Sequence, residues 1–367
     1  MKFTVQKSEI TEAVSNLQRA VSTKSSVPAL ECILLTASEG QLELCAYDLE
    51  LGITTVIPAT VQETGKAALT AKIFSDIVRR TPDENITVTV DDKNLTAIES
   101  GSSQFSLIAI PAEEFPELPK VSEATSLKLP SSLLKSMIRQ TLFAVGESDA
   151  KPIMQGSLFQ IEKGKLDVVS IDGYRLAMRS EPIDYPTDLS FVVPGKTLSE
   201  VLKLLKETDD TVELSAGSRH ILFTIDNYTV ISSLLSGEFI NYQSAIPPEG
   251  KTEVTVKTRE MIESVERVSL IITDRLRSPV RCVFEDGEIK LLCTTVMGRA
   301  SDQISVEMSG DRVEIGFNNR YLLDALRNTE CDEVRFQLSN PLSPLKIMPK
   351  EGDSFLFLVL PVRLRSE

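Results

Sequence analysis

Ala71-Lys72-Ile73-Phe74-Ser75-Asp76-Ile77-Val78 has the apolar spacing of a short amphipathic helix, and the same pattern stands twice more in the chain. A step of 124 residues carries it onto Gly195-Lys196-Thr197-Leu198-Ser199-Glu200-Val201-Leu202. A second step carries it onto Asn319-Arg320-Tyr321-Leu322-Leu323-Asp324-Ala325-Leu326. The apolar positions coincide in all three, as do a basic residue (Lys72, Lys196, Arg320), an acidic one (Asp76, Glu200, Asp324) and a second basic one (Arg79, Lys203, Arg327). Working outward, Leu44-Cys45-Ala46-Tyr47-Asp48 falls on Val168-Val169-Ser170-Ile171-Asp172 and then on Leu292-Cys293-Thr294-Thr295-Val296. Gly40 falls on Gly164, with Gly287 one residue short of the next step, and Phe115 falls on Phe239. Three such steps nearly span the 367 residues. A fixed period of this kind marks a repeated structural unit. The chain therefore reads as three diverged copies, expected at 1–120, 126–247 and 252–367, with Pro/Glu/Ser/Lys-rich linkers between them.

Each copy has the same order. A strand opens it (Phe3–Val5, Leu127–Leu129, Val254–Val256), and a helix follows for which Ser8, Ser131 and Thr258 are the expected N-caps. Strands come next, joined by turns at Glu39-Gly40, Lys163-Gly164 and Asp286-Gly287. The helix quoted above and further strands close the copy. The fold class this predicts is α+β: three repeated domains, each with two helices on antiparallel sheets.

Composition excludes several chemistries. One histidine, His220, disfavours Ser-His-Asp, Cys-His and His-rich metal sites. The five cysteines, Cys32, Cys45, Cys282, Cys293 and Cys331, have no C-x-x-C spacing and read as reduced intracellular thiols. Cys45 and Cys293 share a repeat position and read as small buried groups. No G-x-G-x-x-G or Walker A segment is present. Asp83-Glu84, Asp91-Asp92 and Asp209-Asp210 stand in turn contexts, where Asp serves local hydrogen bonding. Asp48 and Asp172 share a repeat position that Val296 fills in the third copy, which points to a structural bend rather than catalysis. A hydrolase built on clustered carboxylates is the competing reading, but an enzyme needs one asymmetric constellation and this chain repeats its charged positions. No catalytic residue, metal site or cofactor is expected. The N-terminus lacks the apolar run of a signal peptide and no stretch of about 18 apolar residues occurs, so a cytoplasmic protein without membrane contact is expected.

The net charge of -14 argues against a protein that is basic overall. It is not evenly spread. The expected helical segments 7–24, 71–80, 131–141, 195–206, 257–270 and 319–328 hold 16 Lys and Arg against 8 Asp and Glu. They carry +8 and leave -22 on the rest. Six helices spaced about 10 Å apart cannot enclose anything, but twelve make a ring about 120 Å round and about 38 Å across. A duplex about 20 Å wide passes through such a ring. A symmetric dimer of this chain would thus surround double-stranded DNA and hold it through phosphates alone, without reading sequence.

The whole length also resembles the bacterial DNA polymerase III beta subunit, or beta sliding clamp, family. The resemblance is carried by Met1-Lys2-Phe3-Thr4-Val5, Tyr47-Asp48-Leu49-Glu50 and Glu114-Phe115-Pro116 in the first copy. In the second it is carried by Ile171-Asp172-Gly173-Tyr174-Arg175-Leu176-Ala177 and Val193-Pro194-Gly195-Lys196. In the third it is carried by Ile315-Gly316-Phe317-Asn318, Tyr321-Leu322-Leu323-Asp324-Ala325-Leu326 and Leu360-Pro361-Val362-Arg363-Leu364.

The resemblance implies a non-enzymatic, head-to-tail homodimeric ring with helices lining the hole. It implies a processivity factor for the replicative polymerase, loaded by the clamp-loader ATPase. Translesion polymerases, DNA ligase and mismatch-repair proteins are implied partners through short clamp-binding peptides. The implied peptide pocket comprises Met154, Ile171, Gly173, Tyr174, Arg175, Leu176, Ile240, Pro344, Leu358, Leu360, Pro361, Val362 and Arg363. Relatives often have His at Tyr174, and Met at Leu360 and Val362; both differences keep the site apolar. The repeated cations Lys72, Arg79, Lys196, Lys203, Arg320 and Arg327, seven apart on one face of each second helix, are expected to face DNA. The resemblance adds Lys24 as a DNA-contacting loop position and matches Lys196 to a basic position near the hole; Lys151 is also expected to face DNA. Some relatives carry two DNA-touching tyrosines on the loop that here reads Asp149-Ala150-Lys151-Pro152-Ile153-Met154, which leaves Lys151 as a point charge. Phe105 and Leu107 on an edge strand, with Ile271 and Ile272 opposite, match the implied dimer seam.

Overall fold

The computed structural model describes residues 1–121, 125–147, 151–273 and 278–364. The first expected linker lies partly outside the described residues, as do Asp149 and Ala150 of the loop before Met154. The described residues form six α helices: α1 (Lys7–Leu17), α2 (Ala71–Arg80), α3 (Ser131–Leu142), α4 (Gly195–Leu204), α5 (Thr258–Ser269) and α6 (Asn319–Arg327). All strand pairings are antiparallel, as expected for two helices per copy on meandering strands.

The repeat survives in the hairpins. Strand Cys32–Ser38 pairs with Gln41–Tyr47, Gly156–Glu162 with Lys165–Ile171, and Val280–Glu285 with Glu288–Thr295, each across two residues. Gly40, Gly164 and Gly287 adopt φ of 73°, 75° and 77°. Lys163 and Asp286 also have positive φ, as a two-residue I′ turn requires at both central positions.

The helix starts differ from expectation. Ser131 and Thr258 are the first helical residues, and Ser8 lies one residue inside α1; none is an N-cap. The residues before α1 and α5 make no side-chain cap. Backbone carbonyls far along the chain cap the helices instead. The N–H of Lys7 donates to Glu84 (2.7 Å), that of Ser131 to Asp210 (2.8 Å) and that of Thr258 to Asp332 (2.8 Å). Each acceptor lies just before the strand that follows the copy's second helix, so the repeat extends to this contact. α6 has a side-chain cap: Asn318 Oδ1 accepts from Arg320 (2.9 Å) and Tyr321 (3.5 Å).

Four helices are also shorter than expected: α5 loses one residue at each end, α6 loses Asn328, and α1 and α4 end early. α1 stops at Leu17, one tight turn follows to Ala20, and Lys24 lies in an exposed loop. The polar run Ser22–Ser26 ahead of Pro28 gives that segment no apolar face to bury. α4 ends at Leu204 rather than 206. Over the observed helices, 12 Lys and Arg face 8 Asp and Glu, a net of +4 rather than +8. Arg19, Lys24, Lys206 and Lys257 account for the difference and lie beyond helix ends.

The chain divides into two compact units that cut across the sequence copies. Unit 1 takes Met1–Leu134 and Ser199–Leu234. It holds a five-stranded sheet that ends in Ser103–Ile108 and an eight-stranded sheet. In the latter, Tyr228–Ser233 of the second copy pairs with Leu51–Pro58 of the first. Unit 2 takes Lys135–Leu198 and Leu235–Glu367, with a nine-stranded and a four-stranded sheet. Here Arg175–Pro182 of the second copy pairs with Phe355–Val359 of the third. Within unit 1, α1 packs on α2 over Ile10, Leu17, Phe74 and Val78. Within unit 2, α5 packs on α6 over a core with fully buried Phe284, Phe317, Phe336 and Phe357. Among the described residues, no helix is long and apolar enough to cross a membrane.

Cys45 and Cys293 are 5% and 2% exposed at equivalent strand positions, matching the expected small buried groups. Burial pushes the Cys45 thiol up to about 11 and the Cys282 thiol up to about 12. The thiolate is the reactive form. Ellman's reagent at pH 8 should therefore leave Cys45 and Cys282 unmodified in the native protein. Both should react once urea unfolds it.

Candidate functional site

Strand Lys165–Ile171 reverses into Arg175–Pro182 through Asp172-Gly173-Tyr174. Asp172 Oδ1 accepts the backbone N–H of Tyr174 (2.9 Å) and of Arg175 (3.0 Å). Asp48 Oδ1 makes the same turn in the first copy, accepting from Glu50 (3.0 Å) and Leu51 (2.8 Å). Where Val296 replaces the aspartate, Thr295 Oγ1 accepts from Met297 instead (3.1 Å). The shared aspartate is thus a bend former, as its loss in the third copy suggested. Asp91 does the same, accepting from Lys93 (2.8 Å) and Leu95 (2.9 Å).

The second copy builds further on this turn. Arg175 Nε donates to Asp172 Oδ2 (2.9 Å) and its Nη1 to Asp324 Oδ2 of α6 (2.5 Å). Its guanidinium lies 4.7 Å from the Tyr321 ring centre and 5.7 Å from that of Phe143. Tyr174, 60% exposed, stacks on Tyr321 with centroids 5.7 Å apart. Burial, with Asp172 adding to it, holds the Tyr321 phenol above its usual range. Arg175 is therefore a planar clamp between the turn and α6, a task that a lysine point charge could not perform. Gly173 has φ +91° at the tip, a conformation side chains rarely adopt.

Beside the turn lies an apolar bed. Ile171 sits opposite Leu176, and Leu176 opposite Leu358. These three join Met154, Val169, Tyr242 and Leu356 in one cluster, with Ile240 half-buried against it. Five residues of the implied pocket thus come together. Leu176 and Leu358 are 2% and 1% exposed and serve as core, whereas Met154 and Ile171 reach the surface at 8% and 9%. The sequence reading missed Met178, Phe239, Ile246, Met348 and Leu356, which pack in the same cluster. Two-residue alternation from Leu176 and Leu358 would have found Met178 and Leu356.

Of the remaining pocket residues, Leu360 stands on a rim beside the turn. Leu360 is 38% exposed and its N–H donates to the Tyr174 carbonyl (2.9 Å). Pro361 is half-buried, and half-buried Pro344 leads into strand Leu345–Pro349. Exposed Val362 and Arg363 line a different space, a cleft of about 440 Å³ shared with Glu314, Gly316, Pro341 and Leu342.

All six repeated cations, Lys72, Arg79, Lys196, Lys203, Arg320 and Arg327, are exposed on α2, α4 and α6, as are Lys24 and Lys151. Several are partly engaged. Arg79 donates to Ser75 Oγ (2.6 Å) and Gln18 Oε1 (3.3 Å). Lys203 pairs with Glu200 (2.8 Å), and Arg327 with Glu266 (2.7 Å). On α5, Arg259 and Arg267 both pair with Glu263, so that helix offers little net positive charge.

Ser103–Ile108 is the edge of its sheet, paired only with Leu95–Ser100. Phe105 and Leu107 are half-buried on one of its faces, and Ile108 is 81% exposed. Ile271 and Ile272 are not on a strand: they follow α5 and pack half-buried on the unit 2 core, after Leu270, which is 82% exposed. Among the described residues, Gly298–Ser305 is an edge strand of that copy's four-stranded sheet.

Three family models match the chain in succession. These are the N-terminal domain of the DNA polymerase III beta subunit over residues 1–119, its central domain over 128–241 and its C-terminal domain over 243–363. The beta sliding clamp of Bacillus subtilis is 32% identical over 99% of this chain and 100% of its own. The crystal structure of the Bacillus subtilis DNA polymerase sliding clamp matches with a TM-score of 0.96 at 31% identity, covering 100% of both chains. A Pseudomonas aeruginosa sliding clamp bound to griselimycin matches with a TM-score of 0.94 at 28% identity, over 99% of this chain and 100% of that one.

The turn can be tested through Asp172. Asp172→Asn keeps the acceptor for both backbone amides, whereas Asp172→Ala leaves them and Arg175 without it. The alanine variant should lose about 1–3 kcal/mol and the asparagine variant less, read from urea unfolding.

Proposed function

The chain belongs to the DNA polymerase III beta subunit family, the sliding clamps of DNA replication, and from that premise we propose that two copies join head to tail in a ring around duplex DNA. The observation that carries this reading is a strand joint used twice within one chain. Leu51–Pro58 receives Tyr228–Ser233, and its repeat equivalent Arg175–Pro182 receives Phe355–Val359. The third equivalent of the receiving strand is Gly298–Ser305, and the remaining equivalent of the donated strand is Ser103–Ile108. Both are sheet edges. A second copy supplies the missing partner for each, so the joint that links successive domains also closes the ring. Exposed Ile108 and Leu270, with Phe105, Leu107, Ile271 and Ile272, supply apolar surface for it.

Six clamp domains then place twelve helices around the hole. The repeated cations on α2, α4 and α6, with Lys24 and Lys151, meet phosphates without reading bases, so the ring slides. The acidic remainder of a chain with net charge -14 repels DNA elsewhere. The domains lie at 1–120, 126–247 and 252–367. The protein performs no chemistry: it tethers the replicative polymerase in the cytoplasm after a clamp-loader ATPase has opened the ring.

Partners dock through the apolar bed and its rim. A peptide with one or two aliphatic or aromatic plugs suits the apolar bed of Met154, Ile171 and half-buried Ile240 beside exposed Tyr174 and Leu360. Translesion polymerases, DNA ligase and mismatch-repair proteins are the expected users. The griselimycin complexes of the Pseudomonas aeruginosa and Bartonella birtlesii clamps support a ligand site on this fold.

Phe105→Asp combined with Leu107→Asp should convert a dimer to a monomer in size-exclusion chromatography with light scattering, while the far-ultraviolet spectrum stays unchanged. Loaded onto nicked circular DNA by the clamp loader, the protein should remain bound and then dissociate once the circle is linearised. Equal retention on both forms would overturn the ring.

A further inference from the structure

Lys346 is only 8% exposed, although it is a lysine in the middle of a sheet. Strand Leu345–Pro349 alternates its faces. Leu345 and Ile347 enter the core of the third copy, while Met348 packs on the apolar bed. Lys346 therefore shares the bed's face with Met348. The cross-strand register places it closely. Ile171, Leu176, Leu358 and Lys346 occupy successive positions of one row across four neighbouring strands. Neighbouring strands lie about 4.8 Å apart, so the lysine stem starts one strand spacing from Leu358.

Among the described residues, no carboxylate lies within ion-pair distance of Lys346. Burial holds its ammonium below the usual lysine range, and Glu249 opposes that effect from a distance. Glu253, farther along the same row beyond Gln337, is engaged by Arg335 (3.7 Å). The Lys346 nitrogen is not among the fully buried unpartnered side-chain atoms, so the stem is covered by the sheet while its charged end reaches solvent, where an arriving carboxylate can pair with it.

Resting on the peptide-docking reading above, we propose that Lys346 is the charged anchor of the bed and selects peptides that carry an acidic side chain beside their aliphatic plug. The apolar row supplies affinity for the plug, and the ammonium at its end fixes which neighbour the plug has. A neutral peptide would cover the ammonium without a counter-charge; an acidic one would pair with it and, by covering it, shield the pair from bulk water, which strengthens it.

The experiment uses the full-length protein and a fluorescent peptide from the replicative polymerase's clamp-binding segment, capped at both ends. Two versions carry Asp or Asn next to the plug. The wild-type protein should bind the Asp version about tenfold more tightly. Lys346→Met keeps the unbranched stem but removes the charge. It should bind both versions within about twofold of each other and hold the Asn version as the wild type does, with an unchanged melting temperature. Lys346→Arg should restore the preference. If Lys346→Met still prefers the Asp version by the wild-type ratio, the anchor is overturned while the docking site stands. If the wild type binds neither version, the docking site is overturned and the anchor with it.

Discussion

Antiparallel pairing between the edge strand of one sequence copy and that of the next is the constraint on which this structure depends. An unpaired edge exposes a row of N–H and C=O groups and invites uncontrolled association. Pairing Tyr228–Ser233 with Leu51–Pro58, and Phe355–Val359 with Arg175–Pro182, merges strands of different copies into continuous sheets. The compact units consequently do not follow the copies: each draws strands from two of them. The candidate peptide site follows from the second joint. Leu176 and Leu358 meet only because their strands pair, and the turn before Arg175 lies where the rim residue Leu360 leaves the sheet.

Electrostatics adds a second layer. The helices are less positive than their expected boundaries suggested, because Arg19, Lys24, Lys206 and Lys257 flank them rather than belong to them. Internal pairs such as Lys203–Glu200 and Arg327–Glu266 temper several of the remaining cations. If the chain forms the proposed ring, a weakly positive surface suits it, since tight phosphate contacts would oppose sliding.

Much of this was legible in the sequence because it is local. The I′ turns at Lys163-Gly164 and Asp286-Gly287 and the bends at Asp48 and Asp172 rest on residues a few positions apart, and the step of 124 residues is the recurrence of such short patterns. The helix starts were not legible, since the groups that cap α1, α3 and α5 are carbonyls of Glu84, Asp210 and Asp332 and carry no side-chain signature. The implied pocket was only partly legible. Family resemblance named Met154, Ile171 and Leu358, but Phe239, Ile246 and Met348 come from separate segments that only the folded chain brings together.

Those carbonyl caps have a kinetic meaning. A side-chain cap forms with its own helix, but Lys7 waits for Glu84, and Thr258 for Asp332, to arrive from more than 70 residues away. The first turn of each of these helices is therefore completed only after the intervening strands have closed. High sequence separation of that kind slows folding and makes a copy form as a unit. It also works in reverse. Loosening the segment that supplies the carbonyl frees the start of the helix, so disturbance on the sheet side of a domain reaches its helices through one hydrogen bond.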